Sequence, residues 1–412
     1  MIRNPFSRKR RTGKKVLRVL VVDDSAYNRQ TITSILESDP DVEVVGRAAD
    51  GREALQLAFD LEPDVITLDL EMPEMDGFSF LRLLMSRRPM PVIVISGHSQ
   101  RENVFRALEL GAMDFLAKPV RHIGPELREI RAELVRKIRV VSRLHAVRLQ
   151  LRAQSLALQR DARRTREVVA IPDGPIEDIL ARVVEKSPEP NLPEVAEGTD
   201  AADSVGPAPW GVVAIAASTG GPPAIQQLLG ELLGDLPIAI FLAQHMPARF
   251  TRAFAGRLDK LCPMAVVEAE DGQVVETGMV YVAPGAANLE VVRCDDGRVR
   301  TRVQVPEPPV MGETAKITPS GDALFRSVAS VYGSRMCAVI LTGMGSDGRE
   351  GSVYAAQHGA SVLAENPASA VMPGMPQSVV DAGAADEVLS IEALPDAIAR
   401  FAARLRAPVD SK

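Results

Sequence analysis

Twice along this 412-residue chain, short apolar runs alternate with stretches of helical periodicity, and that alternation limits the available folds more than any other feature. In Val16–Pro119 the runs are VLRVLVV, VEVVG, DVITLDL, PVIVIS and DFLAKP, with YNRQTITSILE and GREALQLAFDLE among the stretches between them. From Trp210 the pattern returns as GVVAIAA, IAIFLA, VYVAP, CAVILT and ASVLAE, separated by segments such as AIQQLLGELL and GDALFRSVASVYG. Strands joined through helices of this length form parallel sheets with helices on both faces. Several runs are apolar throughout, as a strand buried on both sides requires. The sequence therefore predicts an α/β chain of two doubly wound, mainly parallel-sheet domains, over 16–122 and 210–404.

Between them the chemistry changes. The stretch 123–166 is rich in Leu, Arg and Glu and holds no Pro or Gly after Pro125, which predicts an extended linker helix. Leu127, Ile130, Leu134, Val141, Leu144, Leu151 and Leu158 approximate a 3/4 spacing, interrupted by Lys137, Arg148 and Ser155. Such a seam is below coiled-coil quality and leaves dimerisation through this helix open. Residues 167–209 are rich in Pro, Glu, Asp and Ala and read as a flexible linker.

Composition excludes several classes. A net charge of −6 argues against a polyanion binder, and 4% aromatic residues argue against stacking platforms for nucleic acid. No run reaches the roughly 18–20 apolar residues of a membrane span, so no membrane insertion is expected. The basic start MIRNPFSRKRRTGKKV has no apolar core and reads as a solvated tail rather than a secretory signal. Cys262, Cys294 and Cys337 are isolated, without zinc or disulfide spacing, which points to a cytoplasmic location.

In an open parallel sheet, ligands gather outside the carboxyl ends of the strands. Asp23 and Asp24 follow VLVV, Asp69 follows DVITL, Ser96 ends PVIVIS, and Lys118 ends DFLAK. Three convergent carboxylates repel one another unless a cation such as Mg2+ relieves them. That cation would also neutralise an incoming phosphoryl group, leaving Asp69 free to attack phosphorus and Ser96 and Lys118 to bind the phosphoryl oxygens. VVDDSAYNRQ, LDLEMPEMDGF and LGAMDFLAKP make this region resemble the receiver domain of two-component response regulators. The resemblance implies a flavodoxin-like fold, phosphorylation of Asp69 by a histidine kinase, and Mg2+ bound by Asp23, Asp24 and Asp69.

In the second domain Ser218 follows AIAA and precedes two glycines and two prolines, a strand-to-helix junction that could hold either an oxyanion or a phosphate. No Gly-Lys-Ser/Thr ending supports the phosphate loop. His245 lies just beyond IAIFLAQ and Asp347 just beyond CAVILTGMGS, so Ser, His and Asp could meet at one sheet edge as nucleophile, base and orienting acid. His245 as a buried structural histidine and Asp347 as part of an Asp-Gly turn are the bland alternatives.

AASTGGPPAIQQLL, QHMPARFTRAFAGRLD, LTGMGSDGREG and GMPQSVVDAG make Trp210–Ala403 resemble the catalytic domain of the chemotaxis protein-glutamate methylesterases. With the receiver in front, the family's domain order is reproduced. The resemblance implies a Rossmann-like fold, hydrolysis of glutamyl methyl esters on methylated chemoreceptors, and deamidation of receptor glutamines. It also implies Ser218, His245 and Asp347 as the triad, support from Thr219 and from the Met344 amide at the oxyanion, and no cofactor in this domain. Ala216 and Asn288 depart from the family's usual glycine and histidine. A phosphorylation-controlled binding protein without catalysis is the competing class.

Overall fold

The computed structural model describes residues 16–97, 101–118, 131–139, 141–142, 208–307 and 317–406. The basic start, nearly all of the linker 167–209 and most of the helix expected over 123–166 lie outside the described residues.

The first domain is a five-stranded sheet ordered β2-β1-β3-β4-β5, built from Leu17–Val22, Val42–Ala48, Val65–Leu68, Val92–Ser96 and Asp114–Ala117. Every pairing is parallel, as the sequence predicts. Helices α1 (Ala26–Glu37), α2 (Gly51–Leu61) and α3 (Gly77–Arg87) each start where a Ser or Asp carbon-bound oxygen accepts a backbone N–H: Ser25, Asp50 and Asp76 are the caps. Helix α4 is Arg101–Glu109. The described part of the stretch expected as linker helix, α5 (131–139), is helical, and Leu134, Ile138 and nearby Val141 bury against Val19, Val21, Ile93 and Leu116. This portion therefore belongs to the core of the first domain. The charged interruption has a use there, since Lys137 Nζ reaches the Asp114 carboxylate at 2.7 Å.

The second domain has a seven-stranded sheet ordered β14-β13-β12-β6-β7-β9-β8, parallel throughout. Its central strands β6 (Gly211–Ala217), β7 (Ile238–Gln244) and β12 (Met336–Ile340) are buried at every residue. The flanking strands are β8 (Ala265–Glu268), β9 (Met279–Val282), β13 (Ser361–Glu365) and β14 (Glu387–Leu389). Around them lie α6 (Gly221–Gly230), α7 (Ala248–Leu261), α8 (Gly321–Tyr332), α9 (Arg349–Gln357), α10 (Gly374–Asp381) and α11 (Leu394–Arg406). An antiparallel hairpin, β10 (Asn288–Arg293) with β11 (Val299–Gln304), was not expected. It packs Leu289 and Val291 into the core beside α8. Strand order reverses at β6, which has β12 on one side and β7 on the other, and that reversal opens a crevice at the carboxyl ends of the strands.

Candidate active site and phosphorylation site

In the second domain the three sequence-predicted residues follow the three central strands. Ser218 follows β6, and its N–H donates to the Thr342 carbonyl beyond β12 at 3.0 Å. His245 follows β7, and its N–H donates to the Ala217 carbonyl at 3.0 Å, which fixes it beside the serine. Asp347 comes from the loop after β12 and meets His245 Nε2 through Oδ2 at 2.7 Å. An ionised carboxylate only accepts, so Nε2 carries the proton and Nδ1 remains the imidazole's acceptor.

The turn after Ser218 explains its glycines. Gly220 has φ 77°, a left-handed conformation that starts α6, and a Cβ on Gly221 would lie 2.0 Å from the Gln244 amide oxygen. Pro222 and Pro223 then occupy the first turn, where no N–H is needed.

Asp347 is held from several sides at the start of α8. Ser320 Oγ donates to Oδ1 at 2.9 Å, Gly321 N to Oδ2 at 2.6 Å, and Asp322 N to Oδ1 at 3.1 Å. Burial alone would raise its pKa, but the hydrogen bond and charge of His245 and the two backbone amides outweigh it and hold this carboxyl well below the usual range. Sequence reasoning missed Ser320, whose N–H in turn donates to Asn288 Oδ1 at 2.9 Å. Asn288, noted as a departure, thus supports the residue that supports Asp347. The other departure, Ala216, lies where a Cβ on Gly321 would come within 2.7 Å of its methyl, so it packs beneath the start of α8.

Asp322 is the counterweight. Burial, with help from the charges of Asp347 and Glu350, pushes its pKa up to about 6, while Gly351 N donates to its Oδ1 at 2.6 Å. A carboxyl whose folded pKa lies above its unfolded value binds protons more readily when folded, so it costs stability as pH rises from about 4 through about 6. Asp322→Asn keeps an oxygen for Gly351 and removes that charge. Allowing for solvent screening at this half-buried position, it is expected to gain about 1 kcal/mol at pH 8. That corresponds to roughly 2–4 °C in Tm for a domain of this size, and the gain should vanish near pH 4 in thermal melts.

Thr219 is buried, but its Oγ1 donates across to Asp114 Oδ2 of the first domain at 2.8 Å. Met344 is half-buried in the loop that brings Gly343 beside Ser218, where a Cβ on Gly343 would lie 3.0 Å from the serine Cβ. Among the described residues no acceptor takes the Met344 N–H.

In the first domain Asp23, Asp24 and Asp69 present carboxylate oxygens all within 4.8 Å of one another. Asp23 and Asp69 are buried and Asp24 is exposed. Lys118 Nζ, at the end of β5, bridges Asp69 Oδ2 at 2.5 Å and Asp23 Oδ2 at 2.9 Å. Burial raises the Asp69 pKa; the Lys118 hydrogen bond and charge oppose this, and the Asp23 charge adds to the rise. Ser96 is buried at the carboxyl end of β4, between β3 and β5. Oxygen-only donors gathered around a strained concentration of negative charge suit a hard divalent cation such as Mg2+. The sequence placed all five residues at strand ends, and the structure brings them to one edge.

A family model described as CheB methylesterase matches residues 213–398, and one described as a response regulator receiver domain matches residues 19–128. A protein-glutamate methylesterase/protein-glutamine glutaminase of Anaeromyxobacter dehalogenans is 43% identical over 395 residues, covering 96% of this chain and 98% of its own. One of Geobacter sulfurreducens is 43% identical over 379 residues, covering 91% and 95%. The Thermotoga maritima CheB methylesterase catalytic domain, seen in a crystal structure, is 35% identical, covers 47% of this chain and 98% of its own, and gives a TM-score of 0.43. Similarity that runs through both domains in the same order, over nearly the full length of these relatives, makes this chain a member of the receiver-bearing protein-glutamate methylesterase/protein-glutamine glutaminase family.

Proposed function

We propose that this protein removes methyl groups from glutamyl methyl esters of chemoreceptors, releasing methanol, and deamidates receptor glutamines, under control of phosphorylation at Asp69. The observation that carries the chemistry is the 2.7 Å contact between His245 Nε2 and Asp347, with Ser218 on the neighbouring strand end. His245 Nδ1 accepts the hydroxyl proton as Ser218 Oγ attacks the ester carbonyl. Asp347 stays ionised and stabilises the imidazolium. The oxyanion is taken by the Met344 N–H, and methoxide leaves with the proton from His245. Water, deprotonated by the same imidazole, then cleaves the acyl-serine to give glutamate. None of these steps calls for a cofactor. Thr219, through Asp114, serves as support between the domains rather than as a reacting group. The substrate is receptor at the cytoplasmic face, and no helix among the described residues is long and apolar enough to cross a membrane.

In the receiver, Asp23, Asp24 and Asp69 are the residues that would hold Mg2+, which when bound neutralises charge on the transferring phosphoryl group. Asp69 receives that group from a histidine kinase, and Ser96 and Lys118 bind its oxygens. The domains take the ranges 16–122 and 210–404, with the receiver's core continuing into α5. The deciding experiment is methanol release from methylated receptor membranes, with and without a phosphodonor. Unchanged methyl content would end the esterase reading.

The two sites make different demands on cations. Chelation, or Asp23→Asn, is expected to slow phosphorylation by acetyl phosphate on the order of 10- to 100-fold, the range usual for a disturbed metal site. Ester hydrolysis by residues 206–412 alone should be indifferent to chelator, as methanol assays on both preparations would show.

A further inference from the structure

We propose that Gln244 is a positioning residue for the esterase reaction, its side-chain amide tying together the backbone carbonyls of the nucleophile and the base. The inference rests on the roles proposed for Ser218 and His245. Gln244 is the last residue of β7 and is 2% exposed. Its Nε2 donates to the Ser218 carbonyl at 2.9 Å and to the His245 carbonyl at 3.1 Å. Both amide protons are therefore spent on the two residues that must meet.

The other half of the side chain shows what this arrangement sacrifices. Among the described residues, Gln244 Oε1 is buried and has no hydrogen-bond partner. Buried amide oxygens are nearly always paired, because leaving one unpaired forfeits its hydration. Turning the amide round gives no relief, since Oε1 would then face two carbonyl oxygens. An apolar residue of the same length would avoid the cost altogether. What only the amide supplies is the bridge.

Gly221 makes room for it. A Cβ there would lie 2.0 Å from Oε1, so glycine at 221 and glutamine at 244 form a matched pair. Gly221 N also donates to the Ser218 carbonyl at 2.8 Å, so the carbonyl of the nucleophile is fixed from two directions. Ser218 and His245 sit on different strands, and the placement of Oγ against Nδ1 depends on how the chain leaves each strand. Errors of about 1 Å in such a pair can cost about 100-fold in rate. Gln244 faces the backbone and not the crevice, so its loss should appear in kcat and leave KM alone.

The test uses the full-length chain with Gln244→Met, which keeps length without an amide, Gln244→Glu, which keeps shape without donors, and Gly221→Ala, which presses on Oε1. Three readouts are taken: thermal midpoint, the rate of Ser218 labelling by a fluorophosphonate, and kcat and KM for methanol release from methylated receptor membranes. Gln244→Met is expected to slow labelling and kcat in parallel by about 10- to 100-fold. KM should stay within about twofold and the midpoint should not fall. Gly221→Ala should show a defect of the same kind, since its Cβ would lie 2.0 Å from Oε1 and 2.9 Å from the Ala217 Cβ. A folded Gln244→Met labelled at the wild-type rate, or a defect carried by KM, overturns the proposal. Loss of the fold in both Gln244 variants also overturns it, assigning the residue to stability. Wild-type protein that is not labelled at Ser218 would instead refute the proposed catalytic function, so the two failures are distinguishable.

Discussion

Ser218→Ala and His245→Ala, each alone, are expected to lower methanol release by at least about 1,000-fold, and the double substitution should be little worse than either. The reason is that hydroxyl and imidazole act as one unit. Without a base the serine is a poor nucleophile, and without the serine the base has nothing to activate. Asp347→Ala should be severe but milder, because the imidazole that takes the serine proton is still present while the group that fixes its tautomer and stabilises its charged form is lost. It carries a second cost. Ser320 Oγ, Gly321 N and Asp322 N all lose their acceptor, so the start of α8 should loosen and the thermal midpoint should fall alongside activity. Asp347→Asn keeps the size and one oxygen, which can still accept from Ser320 Oγ and Asp322 N, while its NH2 faces His245 Nε2 and the Gly321 N–H and can accept from neither, so activity should fall with a smaller loss of thermal midpoint than in Asp347→Ala. Near wild-type turnover in purified, folded Ser218→Ala would refute the serine mechanism outright.

Strand ends were legible in the sequence because each is marked twice, by a fully apolar run and by the polar residue that stops it. GVVAIAA before Ser218 and the run ending at Gln244 before His245 are recovered as β6 and β7 residue for residue or nearly so. The hairpin of β10 and β11 was not legible, because NLEVVR buries only Leu289 and Val291, VRTRVQ buries only Thr301, and both carry charged residues, so neither reads as a fully apolar run. Lys137 illustrates a different limit. Read along a helix it interrupts an apolar seam, whereas in three dimensions it pairs with Asp114 at 2.7 Å, a residue of β5 that no local pattern connects to it. Gln244 and Ser320 were missed for the same reason. The hydrogen bonds that matter join segments distant in sequence, from Gln244 Nε2 to the Ser218 carbonyl and from Ser320 Oγ to Asp347 Oδ1, and no local pattern marks such pairs.

Separating the domains, by using residues 206–412 alone, is expected to raise esterase activity over that of the unphosphorylated full-length chain. Between the domains the first contributes α4 and the start of β5. Phe105 stacks on Phe254 at 5.2 Å, and Phe115 packs against Phe250 at 4.8 Å. Glu109 accepts from Gln226 Nε2 at 2.9 Å and pairs with Arg257. Thr219, next to the nucleophile, is held by Asp114, which Lys137 holds in turn. The apolar pairs supply attraction, and the Asp114–Thr219 hydrogen bond ties the receiver to the residue next to Ser218, so a docked receiver restrains the loop that carries the nucleophile. Contacts of this kind within one chain are modest, favouring the docked form by about 1–3 kcal/mol. A new phosphoryl charge at Asp69 is able to tip such a balance, and the path is short: Ser96 ends β4, and the chain proceeds into α4 with Phe105 and Glu109. Opening the interface should therefore raise activity roughly 5- to 150-fold, the rate equivalent of that energy. Phe105→Ala, which removes a ring from the interface without touching Asp69, should raise the unphosphorylated rate part of the way. Asp69→Asn should stay low with or without acetyl phosphate, and only chains with Asp69 intact should respond to it. Equal rates for the fragment, for Phe105→Ala and for wild type would mean that the receiver does not restrain the esterase, and that phosphorylation acts by changing which receptors the enzyme reaches.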